Sequence, residues 1–284
     1  MKNFTDNVII SNPDELERKK QAIKQDGTGR LHILSDFDRT LTKAFVNGKN
    51  VPSLISVLRD NDYITEEYSK KAKALAERYR PIEDDISIPI EEKKKAMMEW
   101  WIKHFELLIE SGLNKEHLQK IVDSGIVRFR QGVSEFLDFL KNNEIPLIII
   151  SSSGLGGDSI SMFLKKHEKL YKNLHIISNF FEWDDNGKIV SFKKPVIHSF
   201  NKDETAIPEN IKEIIAEKKN IILLGDTLGD IKMVGNFDCN ILIKIGFLND
   251  NPENLEEYKK AYDVVITNDG SFDYVNKLIK EIIK

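Results

Sequence analysis

At 284 residues, 40% hydrophobic and 31% charged, the chain reads as a globular protein long enough for one large domain or two smaller ones. A net charge of -4 leaves no electrostatic footprint for nucleic acid or an anionic membrane, and no apolar run nears the ~20 residues that span a bilayer. The single cysteine, Cys239, excludes an internal disulfide framework, and with no apolar signal core in Met1 to Asn7 the expected location is the cytoplasm.

Residues 8 to 25 read as a short lead-in and a helix, started by Ser11-Asn-Pro13-Asp-Glu, with capping, proline and acidic residues in the first turn. Asp26-Gly-Thr-Gly29 breaks that helix. Leu31 to Leu34 then reads as a buried strand delivering Asp36 and Asp38 to its carboxyl end, the edge at which open α/β sheets bind ligands. Carboxylates this close repel, and a divalent cation is the usual relief. Alone, the Asp-x-Asp pattern fits an acidic turn equally well.

From Lys43 to about Phe129 the apolar spacing is helical, with Leu54, Val57 and Leu58, then Tyr68, Ala72, Leu75 and Tyr79, then Met97, Trp100, Trp101, His104, Phe105 and Leu108. No strand is expected there, so the stretch is a helical insertion too long for one crossover helix. Arg80-Pro81 is expected to end a helix, leaving Ile82 to Pro89 as a loop that carries Glu83. Consecutive aromatics on a helix face different ways, so one of Trp100 and Trp101 packs in the insert and the other points elsewhere.

Gly132 to Asn142 reads as a helix and Pro146 to Ile150 as a second buried strand. It ends in Ser151-Ser-Ser153-Gly154-Leu-Gly156-Gly157-Asp158, a turn whose amides and hydroxyls suit an anion. Leu174 to Ser178 is a third strand, and Asp185-Asn186-Gly187 marks a hairpin between Phe180 and Phe192. His198-Ser-Phe-Asn201-Lys202 is a loop before a helix around Asn210 to Lys218. Ile221 to Leu224 is a fourth strand, ending in Gly225-Asp226-Thr-Leu-Gly229-Asp230; Ile241 to Ile245 and Val264 to Ile266 follow, and a last helix runs to Lys284.

Strands followed by helices predict an α/β fold: a mostly parallel sheet with helices on both faces. If the strands are neighbours, Asp36 and Asp38, Ser152-Ser153-Gly154, Lys202, and Asp226 with Asp230 meet at one edge. Acids without a histidine or cysteine cluster make a hard-oxygen site suited to Mg²⁺ rather than Zn²⁺, and Lys202 supplies balancing charge. Lysine, metal and loop amides together form a phosphate receptor. Asp36 is then expected to attack phosphorus, and Asp38 to protonate the leaving alcohol and later activate water. Thr40, Ser152 and the Gly154 amide would hold phosphate oxygens, with Ser153 adjacent. The metal would sit on Asp36, the backbone carbonyl of Asp38, and Asp226, with Asp230 in or behind the coordination shell.

DFDRTLT, the Ser-Ser-Gly loop, Lys202 and GDTLGD, in that order, resemble the four motifs of the haloacid-dehalogenase-like (HAD) phosphohydrolases. From roughly residue 15 onward the chain also resembles the pyrimidine 5′-nucleotidase family of the cytosolic 5′-nucleotidase III type, through Arg80-Pro-Ile-Glu83, Met98-Glu-Trp-Trp, Ile177-Ser-Asn-Phe, His198-Ser-Phe-Asn-Lys202, the stretch from Ile221 to Asp230, and Ile243 to Asp250. The resemblance implies a cytosolic Mg²⁺ enzyme releasing phosphate from nucleoside 5′-monophosphates, with UMP and CMP expected. It implies an HAD-like core over 1–42 and 130–284, a helical cap over 43–129, and Glu83 reaching the substrate. The chain departs from the family in two places. His104 stands where the family has a serine near the substrate; there it can stack on or hydrogen-bond a base, or simply pack. The phosphate loop carries an added glycine, which leaves the choice among Ser151, Ser152 and Ser153 open, with Ser152 favoured. The expected partner is one small nucleotide, with no nucleic acid or membrane, bound by a monomer or weak homo-oligomer. The alternatives are a phosphatase of another small phosphomonoester, such as phosphoserine or a sugar phosphate, and a catalytically silent phosphate-binding protein.

Overall fold

The computed structural model describes residues 7–51, 53–85, 87–202, 207–235 and 238–283. In chain order the elements are β1 (Val8–Ile10), α1 (Pro13–Asp26), β2 (Leu31–Ser35), β3 (Phe45–Val46), β4 (Lys49–Asn50), α2 (Leu54–Asp60), α3 (Glu66–Asp84), α4 (Ile90–Glu110), α5 (Lys115–Asp123) and α6 (Val133–Asn142). They continue with β5 (Leu147–Ile150), α7 (Gly156–Lys166), β6 (Leu174–Ile177), β7 (Phe181–Trp183), β8 (Ile189–Phe192), α8 (Glu209–Ile215), β9 (Asn220–Gly225), β10 (Ile241–Leu248), α9 (Leu255–Ala261), β11 (Val264–Thr267) and α10 (Asp273–Ile283).

Seven strands form one sheet in the order β1-β11-β10-β9-β2-β5-β6, parallel throughout except for β1. The lead-in is therefore a strand: Val8–Ile10 pairs with the last strand, and Asn12 caps α1. Alternation splits the strands between two cores. Leu31, Ile33, Ile222 and Leu224 pack on one side, and Leu34, Ile148, Ile221 and Leu223 on the other. Burial on both faces explains why these strands read as unbroken apolar runs. The expected end of the last helix at Lys284 lies outside the described residues.

Two expectations about the insert fail. A short antiparallel hairpin, β3–β4, follows the first strand; at two residues a side, it is too brief to show a period. Helix α3 also runs through Pro81 to Asp84, so Glu83 lies on a helix rather than in a loop. Pro81 falls in the last turn, where little of the helix remains to be disrupted, and its carbonyl accepts the Asp85 amide at 3.1 Å.

Candidate active site

The strand order makes β9, β2 and β5 neighbours, and the register aligns their ends. Ser35 pairs with Leu224 on one side and Ile149 on the other. The next residue is Asp36, whose amide donates to the Leu224 carbonyl at 3.0 Å. Lys202 arrives from the loop after the β7–β8 hairpin. Its Nζ lies 2.5 Å from Oδ1 of Asp36 and 3.2 Å from Oδ1 of Asp230. Oδ2 of Asp230 accepts from the Asp226 amide at 3.1 Å, and from the Thr227 amide and hydroxyl at 2.9 Å each. Gly225 permits this fold-back, because a Cβ there would sit 2.5 Å from Cβ of Asp230.

Burial raises the Asp36 carboxyl above the usual range; the Lys202 charge opposes this, and Asp230 adds to it. Burial, then Asp230 and Asp36, raises Asp226 further. Burial works against the Lys202 ammonium, but Asp230 and Asp36 outweigh it and hold its pKa above that of an ordinary lysine. Asp38 is pushed up to about 8 by burial and by the Asp36 charge, and its Oδ1 has no protein partner. A carboxyl that keeps its proton near neutrality can act as a general acid.

Arg39 follows Asp38 in the left-handed region, at φ 61°. Its Nε lies 3.4 Å from Asp226 and its Nη2 2.6 Å from Asp250. Thr40 is fully buried, and its hydroxyl has no protein partner. In the serine loop, Ser151 Oγ accepts the Ser153 amide at 3.2 Å, while Ser153 Oγ accepts the Leu155 amide at 3.3 Å and lies 3.5 Å from Ser159 Oγ. Ser152 is the half-buried member of the three. Gly154 packs so tightly on α2 that a Cβ would sit 2.9 Å from Ile55.

A cavity of about 140 Å³ opens between this edge and the insert. Asp38, Ser152, Ser153 and Gly154 line one side; Glu83, Trp100, Trp101, His104, Arg59 and Arg80 line the other. Asp36, Thr40, Lys202, Asp226 and Asp230 do not line it. Both tryptophans border the cavity but pack into different clusters, Trp100 with Tyr79 and Met97 and Trp101 against the main core, as neighbours that face apart do. Their broad rings stack 5.3 Å apart, with Trp100 also stacked on Tyr79 and Trp101 on Phe105. His104 is 3% exposed, with Nε2 unpartnered. Burial, helped by the Arg59 charge, pushes its pKa down to about 3, so it is neutral at physiological pH. The Glu83 carboxylate accepts a hydrogen bond from the Ser199 hydroxyl, which ties α3 to the Lys202 loop.

A family model for pyrimidine 5′-nucleotidase (UMPH-1) matches residues 39–283. The chain belongs to the pyrimidine 5′-nucleotidase family. With the family comes the enzyme class: a 5′-nucleotidase, a hydrolase of the HAD superfamily. Among similar curated proteins, a 7-methylguanosine phosphate-specific 5′-nucleotidase A of Xenopus laevis is 37% identical over 97% of this chain and 95% of its own length. The Homo sapiens protein named as 7-methylguanosine phosphate-specific is 34% identical over 97% of this chain and 92% of its own length. A crystal structure of cytosolic 5′-nucleotidase IIIB bound to cytidine superposes with a TM-score of 0.89 at 31% identity, covering 98% of this chain and 94% of that one. A substrate-bound phosphoserine phosphatase shares the fold, at TM-score 0.53 and 20% identity over 87% of this chain and 97% of that one.

In this member of the 5′-nucleotidase family no group of three acidic, histidine or cysteine side chains is preassembled for a metal among the described residues. One Asp230 oxygen faces Lys202 and the other is taken by the Asp226–Thr227 turn. The carboxylates of Asp36 and Asp226 and the carbonyl of Asp38 could hold an ion. Mutual repulsion between buried carboxylates, all hard-oxygen donors, fits Mg²⁺.

Several residues that position the nucleotidase site carried no signal readable from one sequence. Asn179 Nδ2 donates to the Ser153 carbonyl at 3.2 Å and the Ile197 carbonyl at 2.9 Å, and its Oδ1 accepts the Ile197 amide at 2.8 Å. It thereby staples the serine loop to the segment leading to Lys202. Tyr258 donates to the Asp226 carbonyl at 2.6 Å. Asn179 stands inside a stretch that carries the family resemblance, but only its contacts give it a role.

Proposed function

We propose that the protein hydrolyses nucleoside 5′-monophosphates to nucleoside and phosphate through an aspartyl-phosphate on Asp36. A carboxylate oxygen of Asp36 attacks phosphorus, and the bond from phosphorus to the 5′ oxygen breaks. Asp38, protonated, donates its proton to that oxygen as the nucleoside leaves. Asp38 then takes a proton from the water that attacks the acyl phosphate, which frees phosphate and restores the Asp36 carboxylate. Thr40, the Ser152 hydroxyl and the Gly154 amide hold phosphoryl oxygens, Ser153 shapes the loop, and Lys202 balances the charge that builds on them. Asp36, Asp226 and the Asp38 carbonyl, with Asp230 behind, would hold Mg²⁺, which would supply further positive charge to the phosphoryl group.

The observation that carries this reading is the Lys202–Asp36 contact at 2.5 Å beside a cavity running from Ser152 and Gly154 to Trp100, Glu83 and His104. Residues 43–129 act as a cap over the core of 1–42 and 130–284, closing to exclude water. The first substrate reading is 7-methylguanosine 5′-monophosphate, supported by the names of the similar curated proteins and by the indoles and carboxylate in the cavity lining. A 7-methylated guanine is cationic, and indole faces with a carboxylate complement a cation. His104, neutral, offers Nε2 to the base. Pyrimidine monophosphates are the second reading, favoured by the cytidine in the solved relative. The lone cysteine and the cytosolic naming of that relative support a cytoplasmic location.

The test is phosphate release from 7-methylguanosine 5′-monophosphate, CMP, UMP, AMP, phosphoserine and glucose 6-phosphate, with and without Mg²⁺. Release from the first of these, ahead of CMP and dependent on Mg²⁺, is expected. Phosphoserine outrunning every nucleotide would overturn the reading.

A further inference from the structure

The chain leaves the core for the insert after Thr42 and returns at Arg130, and the two crossings lie side by side. The Lys43 amide donates to the Arg128 carbonyl and the Arg130 amide to the Leu41 carbonyl, both at 2.9 Å. Arg130 is 1% exposed, and its guanidinium fork is fully engaged here. It donates to the carbonyl of Thr40 at 2.9 Å, to that of Gly270 at 2.8 Å, to that of Arg39, and to Asn249 Oδ1 at 2.8 Å. Asp269 pairs with it at 3.0 Å and also accepts the Ala44 amide at 2.9 Å and the Phe45 amide at 3.3 Å. Asn249 adds a second donor to the Arg39 carbonyl at 3.0 Å. One buried ion pair therefore grips both the turn that bears Asp38 and Thr40 and the first residues of the insert.

A buried ion pair is a weak source of stability, because apolar residues of similar volume often serve as well. Arg130 is explained better by geometry: a rigid fork that meets several carbonyls at set angles, which an ammonium cannot reproduce. We propose that Arg130, with Asp269, is the positioning residue that locks the Asp38–Thr40 turn to the root of the insert, so that this turn keeps one geometry beside the cavity while the rest of the insert opens and closes. Arg130 touches no reacting atom and acts through Asp38 and Thr40. The proposal rests on the nucleotidase reading above for its kinetic arm only.

The experiment compares full-length wild type with Arg130→Lys and Asp269→Asn in Mg²⁺, using the nucleotide that wild type turns over fastest. Arg130→Lys is expected to keep a cooperative fold while kcat falls about tenfold to a hundredfold and KM moves by less than about threefold. Amide exchange across residues 37–45 should quicken, whatever the activity. Asp269→Asn should shift both readouts in the same direction by less. A folded Arg130→Lys protein with wild-type kcat, or with unchanged exchange in that segment, overturns the proposal. If Arg130→Lys does not fold, Asn249→Ala takes its place; faster exchange there with reduced kcat supports the proposal, and wild-type values of either overturn it. A wild type inactive on every nucleotide defeats the nucleotidase reading, and exchange alone then decides this one.

Discussion

The Lys202 ammonium lies 2.5 Å from Oδ1 of Asp36, although the two residues are 166 positions apart in the chain. The same ammonium reaches Asp230, and Asp226 stands close enough for its charge to be felt at both. More negative charge is buried at this edge than one lysine can offset, and that imbalance organises the expectations below.

Asp36→Asn should abolish phosphate release without lowering the thermal midpoint, because it removes one of several mutually repelling buried carboxylates. Lys202→Met should do the reverse for stability: activity falls about 10²–10³-fold, and about 3–5 kcal/mol of stability is lost as two buried carboxylates lose their partner. Phosphate release and thermal melts of both variants check this. Turnover surviving in Asp36→Asn would remove it as nucleophile.

Chelation with EDTA should stop the reaction, and added Mg²⁺ should restore it. Asp226→Asn should raise the Mg²⁺ concentration for half activity by at least about tenfold. Asp230→Asn should shift the Mg²⁺ curve less and cost about 1–3 kcal/mol of stability, since its side chain holds the Asp226–Thr227 turn. Activity titrations with Mg²⁺, read beside denaturant midpoints, separate a ligand from a strut. Equal shifts in both titrations would place Asp230 on the ion.

Ser152→Ala should reduce kcat/KM for nucleotides about tenfold with little change in stability, because its hydroxyl borders the cavity and has no hydrogen bond within the loop. Ser153→Ala should lower the melting temperature instead, as its hydroxyl is spent on the Leu155 amide and near Ser159. Steady-state kinetics and melting curves tell the two apart. A catalytic loss confined to Ser153→Ala would reverse the assignment.

His104 is held neutral, its pKa lowered to about 3 in the fold. The unfolded chain, with the ordinary value near 6.5, binds the extra proton first, so stability is complete above about pH 6.5 and declines as pH falls toward 3. The decline attributable to this residue should reach about 3–5 kcal/mol at the acid end. His104→Phe should flatten the acid slope of denaturant stability between pH 6 and 4. The same variant should narrow the preference among bases, read as the ratio of kcat/KM for 7-methylguanosine 5′-monophosphate to CMP. An unchanged slope would show that the imidazole is not buried neutral.

Where a candidate residue stands at the end of an apolar run, one sequence was enough to locate it: Asp36, Ser152 and Asp226 follow strands whose burial on both faces makes them continuous and visible, whereas Lys202 comes from a loop after a half-exposed hairpin. That these ends meet was an inference from βαβ order, and the neighbouring of β9, β2 and β5 bears it out. Tertiary structure alone decided the finer points. Pro81 stayed helical because it sits one turn from the helix end, so Glu83 faces the cavity from α3. Asp230 turned back onto its own loop because Gly225 leaves the space. Arg130 had no local pattern at all, since three of its acceptors are carbonyls at 39, 40 and 270, which any residue could supply, and its side-chain partners Asn249 and Asp269 are far along the chain. Periodicity and turn chemistry are written locally and survive in the bare sequence. Which backbone groups surround a buried cation depends on strand order and packing, and exists only once the chain is folded.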